Sequence, residues 1–210
     1  MAQDMVAVMR SLGFERFAVV GHDRGGRVGY RMALDHPERV AKLAVLDIIP
    51  TIEMWDRMGR PEGVATYHWY FLAQPRGFPE RLIGFDPDGY LRHTLQSWAA
   101  PGFAFHPEAM AEYLRCFRDP EAVRAACEDY RAGAGIDVEI DAADRGHRRI
   151  ACPLLALWGE AHPEERPFDF LAIWRAWADD VKGRPIACGH FLPEESPAET
   201  AAELLGFLTS

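Results

Sequence analysis

The feature that most constrains the fold is a Gly-x-Asp-x-Gly turn that joins an apolar run to a helical pattern. The run before the turn, residues 17–20, is apolar at every position. Such a run is typical of a strand in a parallel sheet that is covered by helices on both faces. A sharp strand-to-helix turn needs small residues beside its apex, and Gly21, Gly25 and Gly26 stand around Asp23. The sequence therefore predicts a tight strand–turn–helix unit with a carboxylate at its apex.

The rest of the chain alternates strand and helix patterns on either side of a long helical stretch. Further strands are predicted at residues 40–47, 151–159 and 184–187, and helices at 1–12, 25–35, 168–180 and 198–208. Between them, aromatic and charged residues recur at helical spacing and are interrupted by prolines. We predict an α/β fold with a mostly parallel, doubly wound sheet formed by residues 1–50 and 141–210. Residues 51–140 are predicted to form a helical cap.

Composition narrows the class of protein. A chain of 210 residues forms one domain, or one domain with an inserted cap. The formal net charge of −9 argues against nucleic-acid binding. No apolar run reaches the length of a membrane span, and the N-terminus does not resemble a signal peptide. The four cysteines have neither CxxC nor metal-ligand spacing, so free thiols in the cytoplasm are expected, with no metal and no membrane partner.

Three residues near predicted strand ends are candidates for covalent catalysis. Asp23 at the apex is a candidate nucleophile, because a carboxylate suits displacement at a saturated carbon; a helix-capping role is the alternative. His190, in a Gly-His-Phe loop after the last strand, is a candidate general base. Asp47 ends a buried strand and is the preferred partner that orients His190. Glu160, after the strand at 151–159, is the other candidate partner.

Two arginines next to the apex are candidates for substrate binding. Arg24 and Arg27 are three residues apart at the start of the predicted helix, so they share a face beside Asp23. Guanidinium groups bind carboxylates through two parallel hydrogen bonds, which favours a substrate with a carboxylate. Pairing with local acidic residues is the alternative. The backbone N–H of Arg24 is a candidate donor to an oxyanion.

The order of these motifs resembles the Asp-nucleophile branch of the α/β-hydrolase superfamily. Within it, the chain most resembles fluoroacetate (haloacetate) dehalogenases, and the match extends over essentially the whole chain. The resemblance is carried by Gly21-His-Asp-Arg-Gly-Gly-Arg-Val, Leu46-Asp-Ile-Ile-Pro, Tyr67-His-Trp-Tyr-Phe-Leu-Ala-Gln-Pro and Gly189-His-Phe-Leu-Pro-Glu-Glu. It implies displacement of halide by Asp23, hydrolysis of the resulting ester by water that His190 activates, and no cofactor.

The resemblance also implies roles for aromatic residues of the predicted cap. His68, Trp69 and Tyr130 match the residues that hold the departing halide. For His68 and Trp69 taken alone, a packed aromatic cluster would be the default explanation. Trp98 is a candidate pocket residue, with core packing as an equal alternative. The expected partner is a small-molecule haloacetate, and the resemblance suggests a homodimer.

Two other hydrolase functions are weighed against the sequence, and one of them stays open. An epoxide hydrolase of the same branch is possible, because the predicted cap contains tyrosines that could protonate an epoxide oxygen. Arg24 and Arg27 would have no role in that reaction. If Arg24 binds the carboxylate of a haloacetate, Arg24→Leu should abolish haloacetate turnover. A serine esterase is disfavoured, since the chain contains no Gly-x-Ser-x-Gly.

One departure from the family pattern concerns the N-terminus. Family members have strands before the turn and a His-Gly-x-Pro loop that supplies part of the oxyanion hole, and this chain contains no such motif. On the order of 80 residues expected from the resemblance are absent. The strand at 17–20 is then expected to be an exposed edge. A truncated, inactive remnant is therefore the third expectation, with poor turnover of fluoroacetate.

Overall fold

The computed structural model describes residues 1–161 and 168–210. Its described strands form one parallel sheet in the order β1-β2-β3-β4. They are β1 (Phe17–His22), β2 (Val40–Leu46), β3 (Leu154–Gly159) and β4 (Val181–Ile186). The predicted parallel α/β fold is confirmed.

Helices connect these strands and form the layers beside the sheet. Those of the α/β part are α1 (Ala2–Ser11), α2 (Arg24–Asp35), α11 (Phe170–Trp177), α12 (Leu192–Glu195) and α13 (Pro197–Thr209). Between β2 and β3 lie α3 (Thr51–Arg57), α4 (Arg60–Ala65), α5 (His68–Leu72), α6 (Phe78–Phe85), α7 (Pro87–Trp98), α8 (Pro107–Phe117), α9 (Pro120–Gly133) and α10 (Ile136–Asp144). None of the helices in these described ranges is long and apolar enough to cross a membrane.

The core lies around the two central strands. Val40, Leu43 and Val45 of β2 are fully buried, and Leu154 of β3 is 1% exposed. These side chains belong to one core cluster, whereas Ala44 and Leu155 pack in a second cluster. Apolar side chains therefore cover both faces of the sheet, which is the pattern expected of parallel strands between helices. Trp174 of α11 is also fully buried, and its indole N–H donates to the backbone oxygen of Ile48 at 3.0 Å. This bond fixes α11 against the loop that follows β2.

Of the two edge strands, β1 agrees with the sequence prediction and β4 differs from it. β1 pairs with β2 alone among the described strands, and Val20 is 43% exposed, as expected of an edge. β4 begins at Val181, three residues before the predicted start, because Lys182 and Arg184 of this half-exposed strand interrupt its apolar pattern. The helix predicted from residue 168 to 180 ends at Trp177, since the next residue has extended backbone angles.

The helical segment, residues 51–144 between β2 and β3, contains the predicted cap. Its last helix, α10, crosses the predicted boundary between residues 140 and 141. Asp141 of α10 is buried and accepts hydrogen bonds from the Tyr30 hydroxyl at 2.7 Å and the Ile52 N–H at 3.2 Å. α10 is therefore tied to α2 of the α/β part. The division into core and cap at residues 50 and 140 stays a prediction.

Candidate active site

The turn between β1 and α2 holds Asp23 in a strained conformation. Asp23 has a φ of 47° and a ψ of −120°, which is rare for a residue with a side chain. A Cβ on Gly21 would lie 2.5 Å from the backbone oxygen of Gly25, and one on Gly26 would lie 2.9 Å from that of Gly21. A Cβ on Gly25 would meet no described atom within 4 Å. Close packing of the turn therefore requires Gly21 and Gly26, whereas the expected steric need for Gly25 is wrong.

Three parallel strands bring the predicted catalytic residues together at their carboxyl ends. Asp23 follows β1, Asp47 follows β2, and His190 lies on the loop after β4. His190 Nδ1 lies 2.6 Å from Asp47 Oδ2, and its Nε2 lies 3.6 Å from Asp23 Oδ2. Because a carboxylate only accepts, the Nδ1–H of His190 donates to Asp47 and leaves Nε2 facing Asp23.

The side chain of Asp47 is fixed from two directions. Its other oxygen accepts the Gly159 N–H at 3.0 Å, and the residue is 4% exposed. Glu160, the alternative partner of His190, is exposed, and its backbone N–H pairs with Ile186 on the neighbouring strand. Of the two acidic candidates, Asp47 has the hydrogen bond to His190.

Burial and nearby charges shift the pKa values of His190 and Asp23 in opposite directions. Burial lowers the pKa of His190, but the carboxylates of Asp23 and Asp47 outweigh it and raise the pKa to about 9. Burial raises the pKa of Asp23, yet the nearby His190 imidazole, with Arg27 and His22, holds it well below its usual range. The imidazole is therefore protonated and Asp23 ionised at neutral pH.

A cavity of about 260 Å³ opens in front of Asp23. Its wall combines the three catalytic candidates with residues of the helical segment and of α11. The lining residues are Asp23, Arg27, Asp47, Ile48, Ile49, Met54, Val64, Ala65, Thr66, Tyr67, His68, Trp69, His93, Ser97, Trp98, Phe168, Phe170 and His190. The site is therefore a mainly apolar chamber with a few polar groups, as small-molecule sites usually are.

Arg27 is a buried cation in the wall of this cavity. Its Nη1 donates to the Ile49 backbone oxygen at 3.0 Å and to Thr51 Oγ1 at 3.3 Å, both neutral acceptors. Its guanidinium stacks on Trp69 with 4.5 Å between its carbon and the ring centre, and its Nε has no hydrogen-bond partner among the described residues. Burial, followed by the charge of Arg24, lowers its pKa. Arg27 is thus poised to bind an anion in the cavity.

Arg24 lies beside Arg27 but is engaged differently. Its Nε forms an ion pair with Asp129 of α9, and its Nη2 donates to the Asp129 backbone oxygen at 3.1 Å. It is absent from the cavity wall, although its guanidinium also lies over the Trp69 and Tyr130 rings. Its Nη1 is buried without a partner in the described part of the chain. The carboxylate-binding role of Arg24 stays a prediction.

The aromatic residues of the helical segment surround the opposite side of the cavity. His68 lies in contact with Trp98 and Tyr130, at centroid distances of 4.5 and 5.6 Å, and Trp98 contacts His190 at 5.4 Å. Burial lowers the pKa of His68 to about 4, so its ring is neutral. Its Nδ1 is buried and lacks a hydrogen-bond partner among the described residues. Tyr130 is buried, contacts Trp69 and is not among the described residues that line the cavity.

No group of three or more His, Cys, Asp or Glu side chains in residues 1–161 and 168–210 is arranged to hold a metal ion.

Sequence reasoning missed three residues that shape the site. The Nε2 of His22 lies 2.8 Å from the backbone oxygen of His190. The position of His22 directly before Asp23 was a sequence signal that it belongs to the site. Asp129 pairs with Arg24, and Glu195 accepts hydrogen bonds from the loop of His190. Asp129 has no local motif, because the tertiary fold brings Arg24 to it across 105 residues. Glu195 ends the Gly-His-Phe-Leu-Pro-Glu-Glu stretch, and its closeness to Gly189 in sequence was a signal.

Comparison with known proteins shows the family to which the chain belongs. Residues 1–197 match the family model of the alpha/beta hydrolase fold. The chain is 46% identical over 210 residues to a fluoroacetate dehalogenase from Burkholderia sp., which covers 100% of the chain and 69% of the relative. It is 33% identical over 204 residues to a soluble epoxide hydrolase from Corynebacterium sp. strain C12, with 94% and 68% covered.

Solved structures with the same fold include proteins that are described as hydrolases. A protein from Nostoc sp. PCC 7120 that is described as an alpha/beta hydrolase superposes with a TM-score of 0.96 at 54% identity. The match covers 100% of the chain and 72% of that protein. A Pseudomonas aeruginosa protein described as an epoxide hydrolase gives a TM-score of 0.93 at 47% identity, with 99% and 70% covered. The chain and these two solved structures thus share one architecture.

Proposed function

The chain belongs to the α/β-hydrolase family, and from that premise we propose that this hydrolase is a haloacetate dehalogenase that accepts fluoroacetate. The observation that carries the proposal is Arg27, a buried guanidinium on the cavity wall that has no carboxylate within ion-pair distance among the described residues. The charge of Asp23 acts on Arg27 only from beyond ion-pair distance. A buried cation without a directly paired carboxylate is costly, and a substrate carboxylate would compensate it. The 46% identical relative is a fluoroacetate dehalogenase, which supports the same substrate class.

In the first step, Asp23 displaces the halide. One carboxylate oxygen of Asp23 attacks the carbon that bears fluorine, the carbon–oxygen bond forms, and fluoride leaves with the electron pair of the carbon–fluorine bond. The low pKa of Asp23 keeps this nucleophile ionised. His68 is neutral, so one of its ring nitrogens carries an N–H that can donate a hydrogen bond to the departing fluoride and keep its proton. Trp69 and Tyr130 are the further proposed halide donors, and Trp98 completes the apolar wall.

In the second step, water cleaves the ester. His190 Nε2 takes a proton from water, whose oxygen attacks the carboxyl carbon of the esterified Asp23. Arg24 is the first residue of α2, and its N–H, which has no acceptor within the helix, would stabilise the oxyanion. Collapse of the tetrahedral intermediate releases glycolate and restores the Asp23 carboxylate, while one proton passes to solvent. Asp47 holds the proton on Nδ1 and stabilises the imidazolium.

The test is to trap the ester. His190→Asn should allow displacement of fluoride but not hydrolysis, so incubation with fluoroacetate should leave one carboxymethyl group on the peptide that contains Asp23. Peptide mass spectrometry measures the adduct on Asp23, and fluoride release in a single turnover measures the displacement of the halide. Asp23→Asn is the matched control and should release no fluoride and carry no adduct.

Two results would contradict the proposal. Fluoride release by the unchanged chain without any adduct in His190→Asn would exclude the covalent route. A chain that releases no fluoride from haloacetates but opens an epoxide would favour the alternative function, an epoxide hydrolase. That alternative is supported by the 33% identical relative. It is weakened because Tyr67 is the one tyrosine among the described residues that line the cavity, whereas epoxide activation typically uses two.

A further inference from the structure

The loop that carries His190 has its backbone polar groups fixed by side chains and by the helical segment. Glu195 accepts the N–H of Gly189 through Oε2 and that of Phe191 through Oε1, both at 2.8 Å. The N–H of His190 itself donates to the Trp98 backbone oxygen at 2.9 Å. The three consecutive N–H groups around the imidazole therefore all have acceptors, and two of them share one carboxylate.

The same carboxylate also reaches the helical segment. Oε2 of Glu195 accepts the N–H of Ala100 at 2.8 Å, directly after the end of α7. The two backbones are in close contact there, since a Cβ on Gly189 would lie 2.3 Å from the Ala100 nitrogen and 2.8 Å from the Trp98 oxygen. Glu195 thus bridges the loop of His190 and the segment that places Trp98 in the cavity wall.

His22 fixes the remaining backbone group of this loop. Its Nε2 lies 2.8 Å from the His190 backbone oxygen, so Nε2 carries the proton and donates. Residues 22 and 23 are consecutive, and the bond therefore sets the spacing between the His190 backbone and the nucleophile. His190 has four backbone anchors nearby, and Glu195 supplies two of them.

We propose that Glu195 is a positioning residue that aligns His190 with the Asp23 ester and couples this loop to residues 98–100 of the helical segment. The proposal deepens the proposed function and rests on it for its kinetic part. Asp23 is held by its own turn and does not need this loop to attack the substrate. Loss of Glu195 should consequently affect ester hydrolysis far more than displacement of the halide.

Glu195→Gln is the test variant and Glu194→Gln is its matched control. The glutamine in the test variant keeps the size of the side chain but turns an amide N–H₂ toward backbone N–H groups that need an acceptor. Glu194 neighbours Glu195 in sequence, yet its carboxylate accepts the Tyr113 hydroxyl at 2.8 Å and makes no described hydrogen bond to the loop of His190. The control therefore removes a charge from the same helix without removing an anchor.

The first measurement needs no substrate. Amide hydrogen exchange of Gly189, Phe191 and Ala100, and the proton resonance of the His190–Asp47 hydrogen bond, are recorded by NMR in both variants and in the unchanged chain. We expect faster exchange at these three amides and a weakened His190 resonance in Glu195→Gln only. Unchanged signals in Glu195→Gln, or equal changes in Glu194→Gln, would overturn the proposal whatever the reaction is.

The second measurement separates the two chemical steps. Fluoride release in a single turnover reports displacement, and decay of the trapped ester reports hydrolysis. Because small misplacement of a catalytic group costs up to about a hundredfold, we expect hydrolysis to slow by at least about tenfold and displacement to change little. Equal loss in both steps would indicate a merely structural role. If no ester forms even in His190→Asn, the proposed function fails, while the NMR measurement still decides the role of Glu195.

If Glu195→Gln does not fold, Glu195→Asp replaces it. The shorter side chain keeps the charge but cannot reach all three N–H groups, so the same amides should exchange faster. Retained protection at all three amides in Glu195→Asp would contradict the bridging role.

Discussion

At the scale of single residues, the proposed function assigns recognition of the substrate carboxylate to Arg27. Its Nη1 contacts neutral oxygens, and its Nε is free of hydrogen bonds to described residues. Arg27→Met keeps much of the apolar stem that packs on Trp69 but removes the charge. Since truncating one partner of a buried charge pair costs about 2 to 5 kcal/mol, kcat/KM for fluoroacetate should fall by at least about thirtyfold.

The control for Arg27 is a neutral substrate. Chloroacetamide has a leaving group and no carboxylate, so its turnover should differ little between the unchanged chain and Arg27→Met. A similar loss for the amide and the acid would mean that Arg27 supports the structure of the cavity and does not read the substrate charge.

The titration of His190 should change during turnover. In the free protein, Asp23 and Asp47 overcome the effect of burial and raise its pKa to about 9. Esterified Asp23 has no charge, so the pKa of His190 should fall in the intermediate and release a neutral imidazole for catalysis. Acidification below that lower pKa should slow ester hydrolysis, while Asp23 stays ionised and displacement continues.

The ester should therefore accumulate as the pH decreases. Rapid quenching of the working enzyme between pH 5 and pH 9, followed by intact-protein mass spectrometry, measures the fraction of esterified chain. We expect that fraction to be highest at the acidic end. A fraction that rises with pH would show that the charge of Asp23 does not control His190.

Some residue assignments could be made from the sequence and others could not. Asp23, Asp47 and His190 were predictable as neighbours, because residues after parallel strands meet at one edge of the sheet. The pairing of Arg24 with Asp129 was not, since 105 residues separate them and α9 brings the carboxylate in from the helical segment. Of the two arginines, Arg27 lines the cavity and Arg24 does not, and the carboxylate-binding role of both stays a prediction.

At the scale of elements, the junction of β1 and α2 depends on two of its three glycines. An added Cβ would approach backbone at Gly21 and Gly26 but would meet no described atom at Gly25. The motif predicted the turn correctly, and it could not rank the glycines because the ranking depends on how closely α2 packs on β1.

We expect opposite effects of alanine at the two neighbouring helix positions. Gly26→Ala should lower the free energy of unfolding by about 1 to 3 kcal/mol, because its Cβ forces the backbone of the turn apart. Gly25→Ala should be neutral or stabilising by up to about 1 kcal/mol, since alanine reduces the entropy of the unfolded chain. Urea unfolding of both variants measures the difference. Equal destabilisation by both would show that the turn has no room at Gly25 either.

At the scale of the whole molecule, the order of strands and helices was readable from hydrophobic periodicity, and the start of the edge strand β4 was not. The mostly buried strands β2 and β3 have clear apolar runs, whereas half-exposed β4 contains Lys182 and Arg184. The end of the helical segment was also hidden, because α10 bonds to α2 through a buried carboxylate whose partner, Tyr30, is far away in sequence. Polar contacts between distant elements leave no periodic signal.

The charges gathered at the strand ends should make the stability of the whole fold depend on pH. The pKa of His190 rises from 6.5 to about 9 on folding, so its protonation stabilises the folded state fully below pH 6.5 and this contribution is lost as the pH rises through 9. A difference of this size corresponds to a contribution on the order of 3 kcal/mol. The Asp23 carboxylate has a lowered pKa, so its contribution is present above pH 3.8 and is lost only in stronger acid.

His190→Asn should consequently lose its stability difference from the unchanged chain as the pH rises. Urea unfolding at pH 6, 7, 8 and 9 should give the largest difference at pH 6 and a steady decline toward pH 9, with a constant remainder from lost packing. His147→Asn changes an exposed histidine outside the cavity and should show no such trend. A difference that grows with pH would mean that burial, not the two carboxylates, dominates at His190, and that the imidazole is neutral before the substrate arrives.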